Sequence, residues 1–263
     1  MTLVDDRSRI AGRFLAARRA ATGLDAYPGE FPASLDEAYA IQDAAIAGWN
    51  RPVVGWKVGR VAEPLIGLFG TDRLAGPIFH QAQDGAAMPV FAEGFAAGEA
   101  EFLLRIGTAP PTGKTEFSLA ETADLIDAVH AGIEIASSPL GAINDIGPIA
   151  VVSDFGNNNG LVIGPEIPDW RASGFEQWEV TCRIGGTLAG TGKAEAFPDG
   201  AIGAARFLFE LMARRGIALT PGQWISSGAV TGVHRARPGE AVEASFNGGF
   251  EVACSLVAAI PEG

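Results

Sequence analysis

Charged and apolar residues alternate in two short segments of the chain. In residues 98–104 (GEAEFLL), a strand conformation places Glu99 and Glu101 on one face and apolar side chains on the other. In residues 132–136 (GIEIA), Glu134 stands between two isoleucines. A buried carboxylate is costly unless it is hydrogen-bonded, paired or bound to a metal. We therefore predict that the three glutamates converge on one divalent-cation site.

A simpler interpretation of the same pattern exists. Glutamates are common on half-exposed strands, and Glu134 would then hydrogen-bond to a nearby amide. If the metal site forms, ligation by oxygen alone favours Mg²⁺ or Mn²⁺ over zinc, which prefers His and Cys. The three histidines, His80, His130 and His234, do not have the spacing of metal ligands and are interpreted as surface residues.

Apolar residues recur at helical spacing in several segments. Ser34 and Ser118 are each followed three residues later by Glu, which is the sequence signature of a capping box at a helix start. The first helix presents Leu3, Ile10 and Phe14 on one face. The predicted helices cover residues 3–22, 34–49, 118–131 and 199–215.

A lysine lies between two glycines in the predicted strand 53–59 (VVGWKVG). Lys57 shares a face with Gly55 and Gly59, so a ligand can approach it closely. The alternative is a lysine that protects an edge strand against aggregation. Further strands are predicted at 149–153, 161–164, 178–188, 224–229, 241–246 and 250–257.

Turn residues divide the chain further. Residues 63–89 are rich in Gly and Pro turn signals and are predicted to be mainly loop, and residues 154–160 and 190–193 are predicted to be turns. We predict an N-terminal helical or capping subdomain over residues 1–80 and a β-rich, metal-binding catalytic domain over residues 81–263.

Composition narrows the functional class. The 263 residues carry a formal net charge of −12, which disfavours nucleic acid and anionic membrane surfaces as partners. Cys182 and Cys254 are expected to be buried free thiols. No signal peptide or apolar stretch of membrane-spanning length is recognised, so a cytoplasmic location is expected.

Several motifs follow one another in a fixed order. They are Tyr39-Ala40-Ile41-Gln42, Gly55-Trp56-Lys57-Val58-Gly59, Glu99-x-Glu101-Phe102, Glu134-Ile135 with Ser138, and Gly222-x-x-Ile225-x-Ser227-Gly228. In this order they resemble the 2-keto-4-pentenoate hydratases. Those enzymes belong to the fumarylacetoacetase superfamily, together with the related 4-oxalocrotonate decarboxylases. The resemblance runs from about residue 5 to the end of the chain.

The resemblance implies an α+β fold, with a fumarylacetoacetase C-terminal-like mixed β-roll or sandwich and an N-terminal helical subdomain. It implies Glu99, Glu101 and Glu134 as ligands of Mg²⁺ or Mn²⁺, and a homo-oligomer. Lys57 would be a catalytic or substrate-orienting group.

The same resemblance implies that Ser227, Gly228 and Asp154 bind the substrate. For Ser227, an ordinary buried serine bonded to the backbone is the alternative.

The implied reaction is the hydration of a 2-hydroxy-2,4-dienoate to a 4-hydroxy-2-oxo acid. Two related reactions remain open: a 4-oxalocrotonate-type decarboxylation and an acylpyruvate-type hydrolysis of a carbon–carbon bond. The absence of an H-x-x-E motif disfavours the hydrolase. A metal-free binding or assembly module on the same fold is the non-enzymatic alternative.

Three segments depart from the hydratase pattern. Residues 137–139 are Ser-Ser-Pro where the hydratases usually have Asp-Ser-Arg. The polar turn reads Asp-Phe-Gly-Asn from residue 154, in place of Asp-Asn-x-Ser, and residues 74–76 are Leu-Ala-Gly in place of Asp-Phe-Gly. Neighbours of metal ligands tune the chemistry of a site, so these changes affect the expected substrate and reaction more than the metal site.

Overall fold

The computed structural model describes the backbone of residues 3–262 and the side chains of residues 6–262. Leu3, which the sequence places on the inward face of the first helix, therefore has a side chain outside the described residues. In the described range, none of the helices has the combination of length and apolar character that a membrane span requires. The helices are α1 (Leu3–Ala20), α2 (Leu35–Trp49), α3 (Leu65–Phe69), α4 (Leu119–Asp124), α5 (Ile143–Ile146), α6 (Pro148–Ser153), α7 (Trp170–Ser173) and α8 (Gly200–Arg215).

The strands form two sheets. They are β1 (Gly55–Arg60), β2 (Arg73–Ile78), β3 (Gln81–Gln83), β4 (Ala87–Val90), β5 (Phe95–Ile106), β6 (Ile126–Ser138), β7 (Asn158–Glu166), β8 (Val180–Ile184), β9 (Thr187–Gly192), β10 (Trp224–Ser226), β11 (His234–Arg235), β12 (Ala241–Phe246) and β13 (Phe250–Ala258). The large sheet has the order β2-β1-β10-β5-β6-β7-β3, with β11 paired to β5. The small sheet has the order β4-β13-β12-β8-β9. Both sheets mix parallel and antiparallel pairs, which confirms the predicted α+β class.

The long strand β5 separates two environments. Ala100, Phe102 and Leu104 join the main hydrophobic core, which also contains residues of the small sheet and of α8. On the opposite face, Phe95 and Ala97 pack with α1 and α2 in a second apolar cluster. Because side chains alternate along a strand, this second face also carries the two glutamates of β5. The N-terminal helices therefore cover the same sheet face as the predicted metal ligands.

Two of the predicted helix signals are confirmed in detail. Ser34 caps α2 by accepting a hydrogen bond from the Glu37 amide, and Ser118 and Glu121 form a complete capping box at α4. The helix after Ser118 is much shorter than predicted, however, and ends at Asp124. Residues 126–131 are strand, because Ile126 and Val129 pair with β5 and point into the core. An apolar run of this length fits the spacing of a helix as well as that of a strand, and pairing with β5 selects the strand.

Two other segments also differ from the predictions. The expected strand at 149–153 is helix α6, which begins with Pro148 in its first turn and packs on α2. The expected loop at 63–89 contains strands β2, β3 and β4. Pro77 is tolerated in β2 because β2 is the edge strand of the large sheet. Gly76 has no room for a side chain, since a Cβ atom there would lie 2.3 Å from the Phe155 carbonyl oxygen.

The remaining predicted strands are present with shifted bounds: β10 ends at Ser226, and β7 begins at Asn158, inside the segment predicted as a turn. The strand predicted at 178–188 is a hairpin of β8 and β9 that turns at Gly185 and Gly186, so residues 190–192, predicted as a turn, belong to β9. Cys182 and Cys254 are free and buried, as expected.

The boundary at residue 80 stays a prediction. Strands β1 and β2 lie on its N-terminal side and are part of the large sheet. The two long helices within residues 1–80 are α1 and α2. Both pack on the large sheet through the second apolar cluster.

Candidate metal centre

Three glutamates from two neighbouring strands meet at the centre of the large sheet. Glu99 and Glu101 lie on one face of β5, and Glu134 of β6 stands directly opposite Glu99 in the antiparallel register. One carboxylate oxygen from each residue lies within 4.8 Å of the other two. Their exposed fractions are 4%, 1% and 0%, respectively. The alternative of a half-exposed glutamate strand does not describe these residues.

Lys57 reaches this cluster from β1. Its Nζ atom lies 3.5 Å from Glu134 Oε1, although β1 and β6 are three strand positions apart in the sheet order. In a flat sheet that separation is about 14 Å, at about 4.8 Å per strand. The sheet therefore rolls around this face, and the curvature brings the two side chains together. Lys57 is buried, so it is not an edge-strand lysine exposed to solvent.

Neighbouring groups hold two of the carboxylates in place. Ser226 Oγ donates a 2.5 Å hydrogen bond to Glu101 Oε2, and the Gly228 amide donates a second one of 2.8 Å to the same oxygen. Asn158 Nδ2 donates a 3.0 Å hydrogen bond to Glu134 Oε1. Groups that fix the orientation of a carboxylate in this way are typical of metal sites.

Burial and mutual repulsion make the cluster unfavourable when all three groups are charged. Burial, together with the charge of Glu134, raises the pKa of Glu99 to about 8, and the same causes raise the pKa of Glu101 well above its ordinary value. Burial by itself lowers the pKa of Lys57, but the three carboxylates outweigh this effect and raise the pKa overall. One lysine side chain thus faces three acidic side chains.

The residues present fit a hard divalent cation. The ligand atoms are all carboxylate oxygens, which Mg²⁺ and Mn²⁺ prefer. Glu134 Oε2 is buried and has no hydrogen-bond partner among the described residues. A cation at this point would satisfy that oxygen and offset the remaining negative charge.

A cavity of about 490 Å³ opens on the cluster. Lys57, Gly59 and Glu99 line it. Gly55, the other glycine on the lysine's face, instead packs against the Trp224 carbonyl, where a Cβ atom would lie 2.5 Å from the oxygen. Asn157 also lines it, and its buried Oδ1 atom has no hydrogen-bond partner among the described residues. The walls are largely apolar and include Val61, Leu65, Leu74, Val151 and Phe197.

The residues predicted to bind substrate occupy different positions. Gly228 supports Glu101 through its amide. Ser227 is buried beside it, and its Oγ atom has no hydrogen-bond partner among the described residues. Asp154 lies outside the cavity lining and accepts two hydrogen bonds from Arg18, of 2.6 and 2.9 Å, and a third from Ser138 Oγ of 2.6 Å. Its position indicates a structural role, and the substrate-binding roles of all three residues stay predictions.

Three contributors were missed in the sequence. Ser226 adjoins the Ser227-Gly228 pair, and Asn158 lies in a polar run that was interpreted as a turn only. Ser226 pairs with Leu103, which lies on the same face of β5 as Glu99 and Glu101. The side chain of Ser226 therefore points to the glutamate face. Arg18 had no local signal, because its partner Asp154 is 136 positions away in the chain.

Removal of the Ser226 hydroxyl is expected to weaken cation binding. The variant Ser226→Ala leaves Glu101 with the Gly228 amide alone, so we expect the Kd for Mn²⁺ to rise about 10-fold or more. Isothermal titration calorimetry of the purified protein measures this directly. Ser227→Ala is the matched control for cation affinity, because Ser227 has no hydrogen bond to a carboxylate. Equal Kd values for both variants would show that Ser226 does not orient Glu101.

Comparisons with known proteins identify the fold. A scan against protein-family models and a search of the curated proteins found no match. Among solved structures, the chain is similar to 4-oxalocrotonate decarboxylase from Pseudomonas putida G7 in complex with magnesium and adipate. That similarity has a TM-score of 0.81 at 18% identity, over 96% of this chain and 98% of that chain.

Two other solved structures are similar over a smaller part of the chain. The 2-hydroxyhepta-2,4-diene-1,7-dioate isomerase from Mycobacterium marinum has a TM-score of 0.58 at 16% identity, over 79% of this chain and 77% of that chain. Fumarylpyruvate hydrolase from Pseudomonas aeruginosa, in complex with Mn²⁺ and pyruvate, has a TM-score of 0.56 at 14% identity, over 78% of this chain and 89% of that chain. At these identities the likeness concerns the fold, and it confirms the resemblance at that level: the chain has the fold of the fumarylacetoacetase superfamily.

Proposed function

We propose that this protein is a divalent-cation-dependent lyase that acts on an enolisable 2-oxo acid. One observation carries the proposal: three buried carboxylates lie together beside a buried lysine, and Lys57 and Glu99 of this group line a cavity large enough for a small molecule. In addition, three proteins with a similar fold are named as a decarboxylase, an isomerase and a hydrolase, and two of these are complexed with magnesium or Mn²⁺.

Each residue of the site would have a defined task. Glu99, Glu101 and Glu134 would hold Mg²⁺ or Mn²⁺. When bound, the cation supplies positive charge that stabilises the negative charge developing on the oxygen at C2 as a 2-oxo acid becomes an enolate. Lys57 lines the same cavity, where its amino group would orient a substrate carboxylate. The apolar walls limit access of water to the reacting atoms.

The first candidate reaction is the hydration that the sequence motifs imply. A 2-hydroxy-2,4-dienoate loses its enol proton and regains a proton on carbon, which gives a 2-oxo acid with a conjugated double bond. Water then adds to that double bond, with the hydroxyl group on C4 and the proton on C3. The product is a 4-hydroxy-2-oxo acid.

The second candidate reaction is decarboxylation of a 2-oxo-3-enedioate, and the lining of the cavity favours it. A solved 4-oxalocrotonate decarboxylase is similar in fold over 96% of the chain. Among the described residues that line the cavity, the only carboxylate is Glu99 and there is no histidine, so no separate base is placed to activate water. In this reaction the bond to the departing carboxylate breaks, its electron pair moves through the double bond to the C2 oxygen, and carbon dioxide leaves.

The test combines metal removal with two substrates. We expect EDTA treatment to abolish turnover of 2-hydroxypenta-2,4-dienoate or 2-oxohex-3-enedioate, and Mg²⁺ or Mn²⁺ to restore it. Ultraviolet absorbance follows loss of the conjugated acid, and trapping of carbon dioxide separates decarboxylation from hydration. A folded protein that binds no divalent cation, even with oxalate present, would instead support the binding-module alternative. The predicted homo-oligomer remains a separate proposal, to be tested by sedimentation.

A further inference from the structure

Two of the three segments that depart from the hydratase pattern contact each other in the structure. Gly76 of β2 pairs with Lys57 of β1 in the antiparallel register, so it lies beside the lysine on the same face of the sheet. A Cβ atom at Gly76 would lie 2.6 Å from the Cα atom of Gly156, and a Cβ atom at Gly156 would lie 2.9 Å from the Cα atom of Gly76. The two backbones therefore touch only because both residues are glycine.

The segment that contains Gly156 has a strained backbone. Phe155, Gly156 and Asn157 have φ values of 54°, 68° and 64°, so three consecutive residues are left-handed and two of them are not glycine. Such conformations are unfavourable for most residues, and they persist where the surrounding structure imposes them, often at functional sites. These three residues are called the left-handed turn below.

The left-handed turn encloses the side chain of Lys57 together with Gly59. A Cβ atom at Gly156 would lie 3.1 Å from Lys57 Cδ, and a Cβ atom at Gly59 would lie 3.4 Å from Lys57 Nζ. Glycines therefore line the path of the side chain from its middle to its end. A lysine side chain has four rotatable bonds and loses much rotamer freedom when it is buried, so close walls of this kind select one conformer.

The same segment is connected to the carboxylate partner of Lys57. Asn158, which follows the left-handed turn directly, donates a hydrogen bond of 3.0 Å to Glu134 Oε1. Lys57 Nζ lies 3.5 Å from that same oxygen. One short segment thus contacts the lysine side chain and holds the glutamate that the lysine faces. Its position therefore sets where these two groups lie relative to each other.

We propose that Gly156 is a positioning residue that fixes the side chain of Lys57 for binding of a substrate carboxylate. The inference rests on the function proposed above, because that function assigns the carboxylate to Lys57. Gly156 is not among the described residues that line the cavity, so it acts through the lysine. A side chain at position 156 would press on Lys57 Cδ and move the amino group away from its place beside the carboxylate cluster.

The test measures binding of oxalate, whose carboxylates mimic the head group of a 2-oxo acid, by isothermal titration calorimetry. Saturating Mn²⁺ is present throughout, so that changes in cation affinity do not enter. We expect Lys57→Met to raise the Kd of oxalate by about 10- to 100-fold, the range for a hydrogen bond to a charged group, and Gly156→Ala to raise it by about 10-fold or more. The double variant Lys57→Met/Gly156→Ala should have the Kd of Lys57→Met, because the lysine through which Gly156 acts is absent.

Gly174→Ala is the matched control for backbone strain. Gly174 has a φ value of 67°, close to that of Gly156, but a Cβ atom there would have no neighbour within 4 Å. Its substitution imposes the same left-handed conformation on an alanine without crowding a side chain. The Kd of oxalate should therefore stay at the wild-type value.

Gly59→Ala provides a second test that does not depend on the folding of Gly156→Ala. The nearest neighbours of its Cβ atom would be the ends of two flexible side chains, Leu74 Cδ1 at 3.2 Å and Lys57 Nζ at 3.4 Å. We expect a smaller rise in the Kd of oxalate, by about 3-fold or more, because the crowding is milder. This rise should also disappear when Lys57 is replaced by Met.

Three results would overturn the role of Gly156 alone. They are a wild-type Kd in Gly156→Ala, a loss of affinity that adds to that of Lys57→Met, and an equal loss in Gly174→Ala. Where Gly156→Ala does not fold, an unchanged Kd in Gly59→Ala would overturn it. A wild-type Kd in Lys57→Met, or no Mn²⁺-dependent binding of oxalate to the wild-type protein, would instead show that the proposed function is wrong.

Discussion

Replacement of Glu134 by Gln is expected to weaken Mg²⁺ or Mn²⁺ binding by about 100-fold or more and to reduce the proposed lyase activity to background. Glu134 stands opposite Glu99, and its Oε2 atom has no other partner among the described residues. The amide keeps the shape of the side chain but removes the negative charge that attracts the cation. Isothermal titration calorimetry with Mn²⁺ measures the affinity, and the absorbance assay measures the activity.

The same substitution should not destabilise the metal-free protein. The charge of Glu134 contributes to the raised pKa values of Glu99 and Glu101, so its removal relieves repulsion in the cluster. We therefore expect a Tm without metal at least as high as that of the wild-type protein. Glu243→Gln, on the exposed face of β12, is the control for loss of one carboxylate. Unchanged Mn²⁺ affinity in Glu134→Gln would refute the metal centre.

Replacement of Arg18 by Met is expected to lower the free energy of unfolding by about 3–5 kcal/mol, because it leaves a buried carboxylate without its cation. Arg18 of α1 and Asp154 are 5% and 1% exposed, and their Nε and Oδ1 atoms are 2.6 Å apart. Urea unfolding followed by circular dichroism measures the difference. Arg19→Met removes the next, exposed arginine of the same helix and should cost less than about 1 kcal/mol.

This ion pair also connects the N-terminal helix with the metal centre. Asp154 precedes the turn that leads to Asn158, and Asn158 donates a hydrogen bond to Glu134. Arg18→Met should therefore also weaken Mn²⁺ binding in the protein that remains folded. The double variant Arg18→Met/Asp154→Asn removes both charges and should recover much of the lost stability. A single variant as stable as the wild-type protein would show that Asp154 does not depend on Arg18.

The local patterns in the sequence were sufficient to identify the charged residues of the cluster. Strand alternation placed Glu99 and Glu101 on one face, and the glycines beside Lys57 indicated an accessible lysine. These features depend on one strand each, so their physical basis is contained in a few consecutive residues. The capping boxes at Ser34 and Ser118 were equally local and were confirmed.

Other features depended on contacts between distant segments. Residues 126–131 and 148–153 are short apolar runs that fit either a helix or a strand, and pairing with β5 or packing on α2 selects between them. Glu134 lies beside Glu99 through an antiparallel β5–β6 pair, which the sequence did not specify. The support of Glu101 by Ser226 likewise requires the β5–β10 pairing.

The sequence by itself determined which residue types were available: three glutamates in apolar strands, a lysine between glycines, and no histidine or cysteine set for a softer metal. Only the tertiary structure decided that these groups meet, because the roll of the large sheet brings Lys57 of β1 to Glu134 of β6. It also decided that Asp154 pairs with Arg18. Such pairings join segments far apart in the chain, and their energies depend on burial, which no local pattern contains.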